Sequence, residues 1–351
     1  MKKLLSVLTA AILTASMLVL PAAAEAAEDT AADAGSVIEI STAEELMAVA
    51  DDLTADYILT EDIDLAGLEW TPIGAFSPTL TEDGEMSEIP DPEYAFTGSF
   101  DGDGHTIRNL SINAPEDWVL GLFGCISEAT VGNFTLENAS VTGSTMVSDV
   151  VGYAHSSEVY DVTLTGGVVT ARYGEMSEEG MYGGIVAAGM GSLIRGCSAE
   201  ATVVIPDDTA NAGIVGGGLE ATSVIGCSAK GIVIAGQNCY GLGGISGCGF
   251  GAEEFTDCEA EDVIIIAGEG SYWVGGITGY AGGYADESVG IPVTVFTNCN
   301  TKAVTMVLPE EAEGVDAIVG SGFFNEEYAE MAGAPYDAPT EFELVDCTAE
   351  E

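Results

Sequence analysis

Positive charge is almost missing from this chain: 7 Lys or Arg stand against 58 Asp or Glu in 351 residues, a formal net charge of −51. Nucleic acid and anionic membranes are held through clustered Lys and Arg, so both are excluded as sequence-independent ligands. Polyanionic glycans such as pectate are disfavoured for the same reason. Histidine is scarce too, at 2 residues, and the 8 cysteines contain no Cys-x-x-Cys pair, so no metal or cofactor is expected. The 46 glycines follow no Gly-X-Y period, which excludes collagen and points to frequent tight bends. What the chain does have is hydrophobicity, 47% of residues with a mean hydropathy of +0.29, unlike an acidic disordered chain. It folds.

Lys2-Lys3, the apolar run Leu4 to Leu20, Pro21 and a stretch of alanines read as a secretory signal peptide over residues 1–26. Cleavage fits after Ala24 or Ala26. The alternative is an uncleaved anchor, against which Pro21 and the small residues speak. No later run nears membrane length, so the expected product is secreted, extracellular or on the cell surface, with no membrane insertion once the leader is gone. Residues 27–36 read as a flexible lead-in. Ser41-Thr42-Ala43-Glu44 has the form of a capping box, and Leu46, Val49, Ala50 and Leu53 predict one amphipathic helix over about 42–53.

From residue 107 a repeat emerges. Its frame, apolar-x-(Asn/Asp/Gly)-apolar, reads IRNLSI at 107–112, VGNFTL at 131–136, VYDVTL at 159–164 and IRGCSA at 194–199. It continues as VIGCSA at 224–229, FTDCEA at 255–260, FTNCNT at 296–301 and LVDCTA at 344–349. The third position is always Asn, Asp or Gly, the residues that tolerate a left-handed backbone, which predicts a fixed bend. A second element precedes it: GLFG at 121–124, DVVG at 149–152, GIVA at 184–187, GIVG at 213–216, GISG at 244–247, GITG at 276–279 and AIVG at 317–320. From this element to the apolar residue after the bend takes 13, 13, 13, 14, 14, 23 and then 30 residues. Three short strands and three turns per repeat make one rung of an all-β solenoid, a right-handed parallel β-helix, with the N-terminal helix over its first edge. Residues 37–112 are then the cap and first rungs, and 113–351 the repeats proper. LVDCTA leaves the last rung without its third strand, so an end-to-end or neighbouring-chain contact at the C-terminal rung is an open expectation.

The repeat also accounts for the cysteines. Cys197, Cys227, Cys258, Cys299 and Cys347 share a slot with Leu110, Phe134 and Val162, so they form an interior structural ladder of reduced thiols rather than a disulfide framework. Cys125 and Cys248 share another slot, after GLFG and GISG. These residues, with LTEDIDLAGLEWTPIG at 59–74 and FTGSFDGDGHTIRNLSI at 96–112, resemble the GLUG-motif family of exported bacterial proteins over roughly 37–349. The later copies replace the motif's Leu with Ile or Val. The resemblance implies a right-handed β-helix of pectin-lyase-like architecture, often adhesin-like or attached to protease and binding modules. It implies no catalytic residues.

Chemistry is sparse. A glycan lyase or hydrolase needs carboxylates and a basic group together, yet Arg108, Arg172, Arg195, Lys230 and Lys302 are the only bases after Lys3. Asp207-Asp208 reads as a turn after Pro206, and Asp101-Gly102-Asp103-Gly104-His105 as a tight turn with glycines at positive φ rather than a calcium loop. Trp70 reads as packing near the cap. Aromatics are the better lead. Trp118, Tyr240 and Tyr272-Trp273 precede successive Gly-x-x-Gly elements, and two insertions carry Tyr280, Tyr284, Phe323, Phe324, Tyr328 and Tyr336. Asp286, Glu287, Glu326, Glu327 and Asp337 accompany them. Such rings can bind a surface glycan or protein, or simply fold the loops onto the solenoid. The expectation is a non-catalytic binding or adhesion scaffold, with a glycan-active enzyme or a passive spacer as alternatives.

Overall fold

The computed structural model describes residues 37–80, 86–172, 180–250, 254–282, 294–322 and 342–350. It is an all-β parallel β-solenoid preceded by a short helix, α1 (Ala43–Met47), which runs into a 3-10 turn over Ala48–Asp51. The cap lies one residue later than the sequence suggests. Thr42 accepts from the Glu45 backbone N–H, and the Glu45 carboxylate accepts from the N–H groups of Ser41 and Thr42. Leu46 and Val49 are buried against the first rungs, where Ile38–Ile40 pairs in parallel with Asp56–Leu59.

Three parallel sheets form the walls. The first has 20 described strands. The second stacks seven, from Phe123–Ser127 to Val319–Gly322, and the third stacks seven, from Val119–Leu120 to Val315–Asp316. One rung runs Tyr240–Gly243 in the third sheet, Ser246–Phe250 in the second, then Glu254–Thr256 and Glu259–Ala267 in the first. A rung thus has four strand segments, not three. The segment missed is the third sheet, whose positions around Tyr240 and Tyr272 read as a turn. Its short strands contain left-handed residues (Asn211, Trp273) that destroy the period-two pattern.

The eight bend positions, Asn109, Asn133, Asp161, Gly196, Gly226, Asp257, Asn298 and Asp346, all have φ between 49° and 64°. Side chains knit successive bends: Asn133 Nδ2 donates to Asp101 Oδ1 (2.8 Å) and Asn298 Nδ2 to Asp257 Oδ1 (2.6 Å). Inside runs a column in which Phe100, Val131, Val159, Ile194, Val224, Phe255 and Phe296 are all buried, the last two rings stacked at 4.8 Å.

Register corrects two of the frames. IRNLSI stacks not on VGNFTL frame to frame but five residues further along, on LENASV at 136–141, since Ile107 pairs with Leu136 and Ile112 with Val141. The slot before Phe134 is held by the 101–105 turn, where Gly102 has no room for a Cβ, 2.3 Å from that of Phe134. In that turn Asp103 and Gly104, rather than both glycines, take positive φ. The second slip is at 213–216. Gly216 pairs with Ser246, so the equivalent of GISG is Ile214-Val215-Gly216-Gly217.

Candidate binding cleft

A two-residue turn joins the third sheet to the second in each rung, as at Gly244-Ile245, with Ile185, Val215, Ile245 and Ile277 driven into the core. The two sheets fold back on each other there. A Cβ on Gly247 would lie 2.4 Å from the Ala212 nitrogen, and one on Gly279 2.3 Å from the Leu242 nitrogen, so the last glycine of the motif permits backbone-to-backbone contact. Outward side chains of one sheet consequently face those of the other, and a cleft runs along the solenoid. Its N-terminal half is filled by Cys125, Tyr153 and Ala188 from the second sheet against Val119, Met146 and Met181 from the third.

The C-terminal half holds rings. Tyr240 and Tyr272, neighbours on adjacent rungs, stack with centroids 5.4 Å apart and planes 12° from parallel. Trp273 meets Tyr272 edge-on at 4.7 Å and Tyr280 at 5.0 Å. Tyr280 comes from the second sheet and is buried, whereas Tyr240, Tyr272 and Trp273 are half-buried and rim the cleft. Trp273 reaches this position through a left-handed φ of 57°, fixed by its N–H donating to the Glu313 carbonyl. Exposed Asp207, Asp208, Glu269 and Glu313 border the rings. Asn211 lies beneath, nearly buried, with an Oδ1 that has no partner among the described residues. Trp118, 47% exposed, stands at the other end, beside the first strand of the third sheet.

Of the sequence-nominated residues, Tyr272, Trp273 and Tyr280 are therefore brought together, joined by Tyr240. Tyr284, Phe323, Phe324, Tyr328 and Tyr336 lie outside the described residues. The strands flanking both insertions are neighbours, Thr278–Gly282 beside Val319–Gly322 and Thr294–Thr297 beside Phe342–Val345. Both insertions thus depart from and rejoin the solenoid at one corner on adjacent rungs.

Phe134, Val162, Cys197, Cys227, Cys258, Cys299 and Cys347 follow one another in register, with Leu110 displaced to the next slot beside Ala139. The thiols are free, and each of the five Sγ atoms points at a backbone carbonyl of the preceding rung, for example Cys258 to Val224 at 3.4 Å. Contact with the Cys197 thiol and burial push Cys227 well above the ordinary thiol range. Trp70 is buried, its indole N–H donating to the Leu122 carbonyl at 3.1 Å.

The bases lie elsewhere. Arg108 pairs with Asp62 (3.1 Å), Arg195 with Glu158, and Lys230 with Asp262 (3.2 Å), all on the first sheet, where Lys302 also meets Glu261. Asp207 and Asp208 serve their turn: they accept from the Gln237 N–H and the Asn238 amide, both one rung on. Among the described residues no three His, Cys, Asp or Glu converge as a metal set.

One polar group was overlooked in the sequence. Asp149 opens the DVVG element at a slot held in register by Gly184 and Ile214 in the next two rungs, and its side chain is wholly buried. Neither carboxylate oxygen has a hydrogen-bond partner among the described residues, and Oδ2 lies 2.4 Å from where a Cβ on Gly167 would sit. Burial alone pushes its pKa up to about 8.

The fold is a parallel β-solenoid, and comparison with known proteins supports it. No family model matches the chain. Over 140 residues it is 40% identical to Halomucin of Haloquadratum walsbyi (strain DSM 16790 / HBSQ001), an alignment covering 38% of this chain and 1% of that protein. The chain therefore spans a very small part of this curated relative. Among solved structures, an IgA1 protease is similar with a TM-score of 0.52 and 18% identity, over 85% of this chain and 21% of that one. A candidate immunoglobulin A1 protease from Bacteroides ovatus gives a TM-score of 0.45 and 18% identity, over 84% and 86% of the two chains. At such identity the likeness to the first shows the fold alone.

Proposed function

We propose that this chain is an exported β-solenoid of the secreted or cell-surface kind, acting as a non-catalytic binding scaffold whose contact surface is the rim of the ring-lined cleft. The observation that carries this reading is the cluster of Tyr240, Tyr272 and Trp273, three half-buried rings held within 5.8 Å of one another on a rigid sheet. Rings fixed by the fold give contact area at little entropic cost, and an uncharged sugar face or a protein loop suits them. The leader pattern and the resemblance to the GLUG-motif family support export and adhesion. Against a glycan-active enzyme stands the placement of Arg108, Arg195, Lys230 and Lys302 in ion pairs on the first sheet, away from the rings. The test is a neutral-glycan and surface-protein array probed with the chain lacking residues 1–26. Hits should weaken at least tenfold on Trp273→Ala and not on Trp118→Ala. Binding indifferent to Trp273, or release of reducing ends from an array glycan, would reject the reading.

A further inference from the structure

A second surface differs from the cleft in kind. Beyond the bends, the first sheet turns a flat face outward, made of two columns of side chains that each climb seven rungs. One runs Ser111, Ser140, Val168, Thr202, Ile232, Ile264, Thr305 and the other from Asn113 through Ile234 and Ile266 to Val307, each step set by strand register. No position in either column is charged, in a chain carrying 58 carboxylates. Towards the C-terminal half the face becomes apolar: Val168, Ile234, Ile264, Ile266 and Val307 are 36–53% exposed. The adjoining column differs sharply, alternating in sign through Glu200, Lys230, Glu261, Lys302 and Glu350. Arg172, exposed, follows the third rung directly.

We propose that this face is a self-association surface through which two copies stack sheet on sheet at high ionic strength. Charge chooses the occupant. Two copies of a chain at −51 repel each other across nearly any pair of surfaces, and an uncharged face beside a column where Lys230 and Lys302 partly offset Glu200, Glu261 and Glu350 is where that repulsion is least. β-branched side chains repeated at the strand spacing form the kind of flat layer that packs against another sheet at about 10 Å. Size sets the strength. Seven rungs at about 4.8 Å and two residues across give roughly 400 Å² per copy, so a dimer buries roughly 800 Å², below the roughly 1,200 Å² of a standard stable interface. The pair is consequently weak, and added salt strengthens it by screening the residual repulsion.

Sedimentation equilibrium of the chain lacking residues 1–26, from micromolar to submillimolar concentration, reads this directly. Monomer is expected at 0.1 M NaCl, and a monomer–dimer equilibrium at 2 M NaCl. Ile234→Glu with Ile266→Glu should weaken dimerisation at least tenfold in 2 M NaCl, whereas Ile234→Thr, which keeps the face uncharged and β-branched, should leave most of it. Circular dichroism melting checks that both variants fold, and Trp273→Ala, altered only in the cleft, should dimerise as the parent does. A strict monomer at every salt and concentration overturns the proposal. So does a dimer that survives the two glutamates, because its contact then lies elsewhere.

Discussion

Replacing Asp149 by Asn should stabilise the protein more at pH 8 than at pH 6. The carboxyl is wholly buried, touches the space left by Gly167, and has no hydrogen-bond partner for either oxygen among the described residues. Only burial acts on it, lifting the pKa from 3.8 to about 8. The packed surroundings, Leu164 and Gly167 on one wall and the Gly183-Gly184 turn on the other, offer no charge to offset this. A carboxyl raised on folding stays protonated in the native state while the unfolded chain ionises. Stability is thus fullest below about pH 4, falls as pH rises, and levels off above about pH 8. At about 1.4 kcal/mol per pH unit, tapering as the native carboxyl itself half-ionises near pH 8, the loss from this group between pH 6 and pH 8 is roughly 2 kcal/mol. Half-buried Glu220, raised by burial to about 7, titrates in the same window. The measurement is therefore a difference: urea unfolding of parent and Asp149→Asn at pH 6, 7 and 8. The gap between the two should widen with pH by that amount. Parallel curves would refute the reasoning, because they would mean that the carboxylate finds a partner or solvent.

Two further outcomes follow from packing. In native protein an aromatic disulfide reagent should label Cys347 first, the one half-buried thiol, and reach the other seven cysteines only on unfolding; rapid native labelling of several would break the interior ladder. Gly279→Ala should cost roughly 2 kcal/mol in urea unfolding, since its Cβ would fall 2.3–2.6 Å from three backbone atoms. Gly67→Ala is the control, with no neighbour within 4 Å and only its φ of 78° to strain, costing about 1 kcal/mol; equal losses would show that sheet contact is not what the motif's glycine serves.

How far the sequence could be read depends on whether one residue type can do the local job. A left-handed bend on a strand demands Asn, Asp or Gly, so eight copies announced eight bends, and the structure has them at the predicted positions. The frames slipped where the sequence offers a near-copy. Gly213 and Gly216 match the motif's spacing, yet only Gly217 stands at a motif glycine, as the pairing of Gly216 with Ser246 shows. The third sheet was illegible for a different reason: strands of two to four residues hold too few side chains to show a period, and a left-handed Trp273 turns two adjacent rings to one side.

The cleft illustrates the remaining gap. Tyr240, Tyr272, Trp273 and Tyr280 could each be noticed, but Tyr280 was assigned to an insertion because it follows GITG by a single residue. It is instead the second sheet's own outward residue, in register with Cys248. Knowing that required the fold-back at Ile277, which brings the outward faces of two sheets together. Asp149 left a clearer trace than was used. A carboxylate in a slot otherwise held by uncharged residues, with a glycine at 167 in the middle of the strand Glu158–Ala171, is a matched pair in volume. The glycine makes room for the acid. Each member is unremarkable in its own segment, 18 residues apart along the chain; the pairing emerges only once the solenoid sets one wall of a rung against the other.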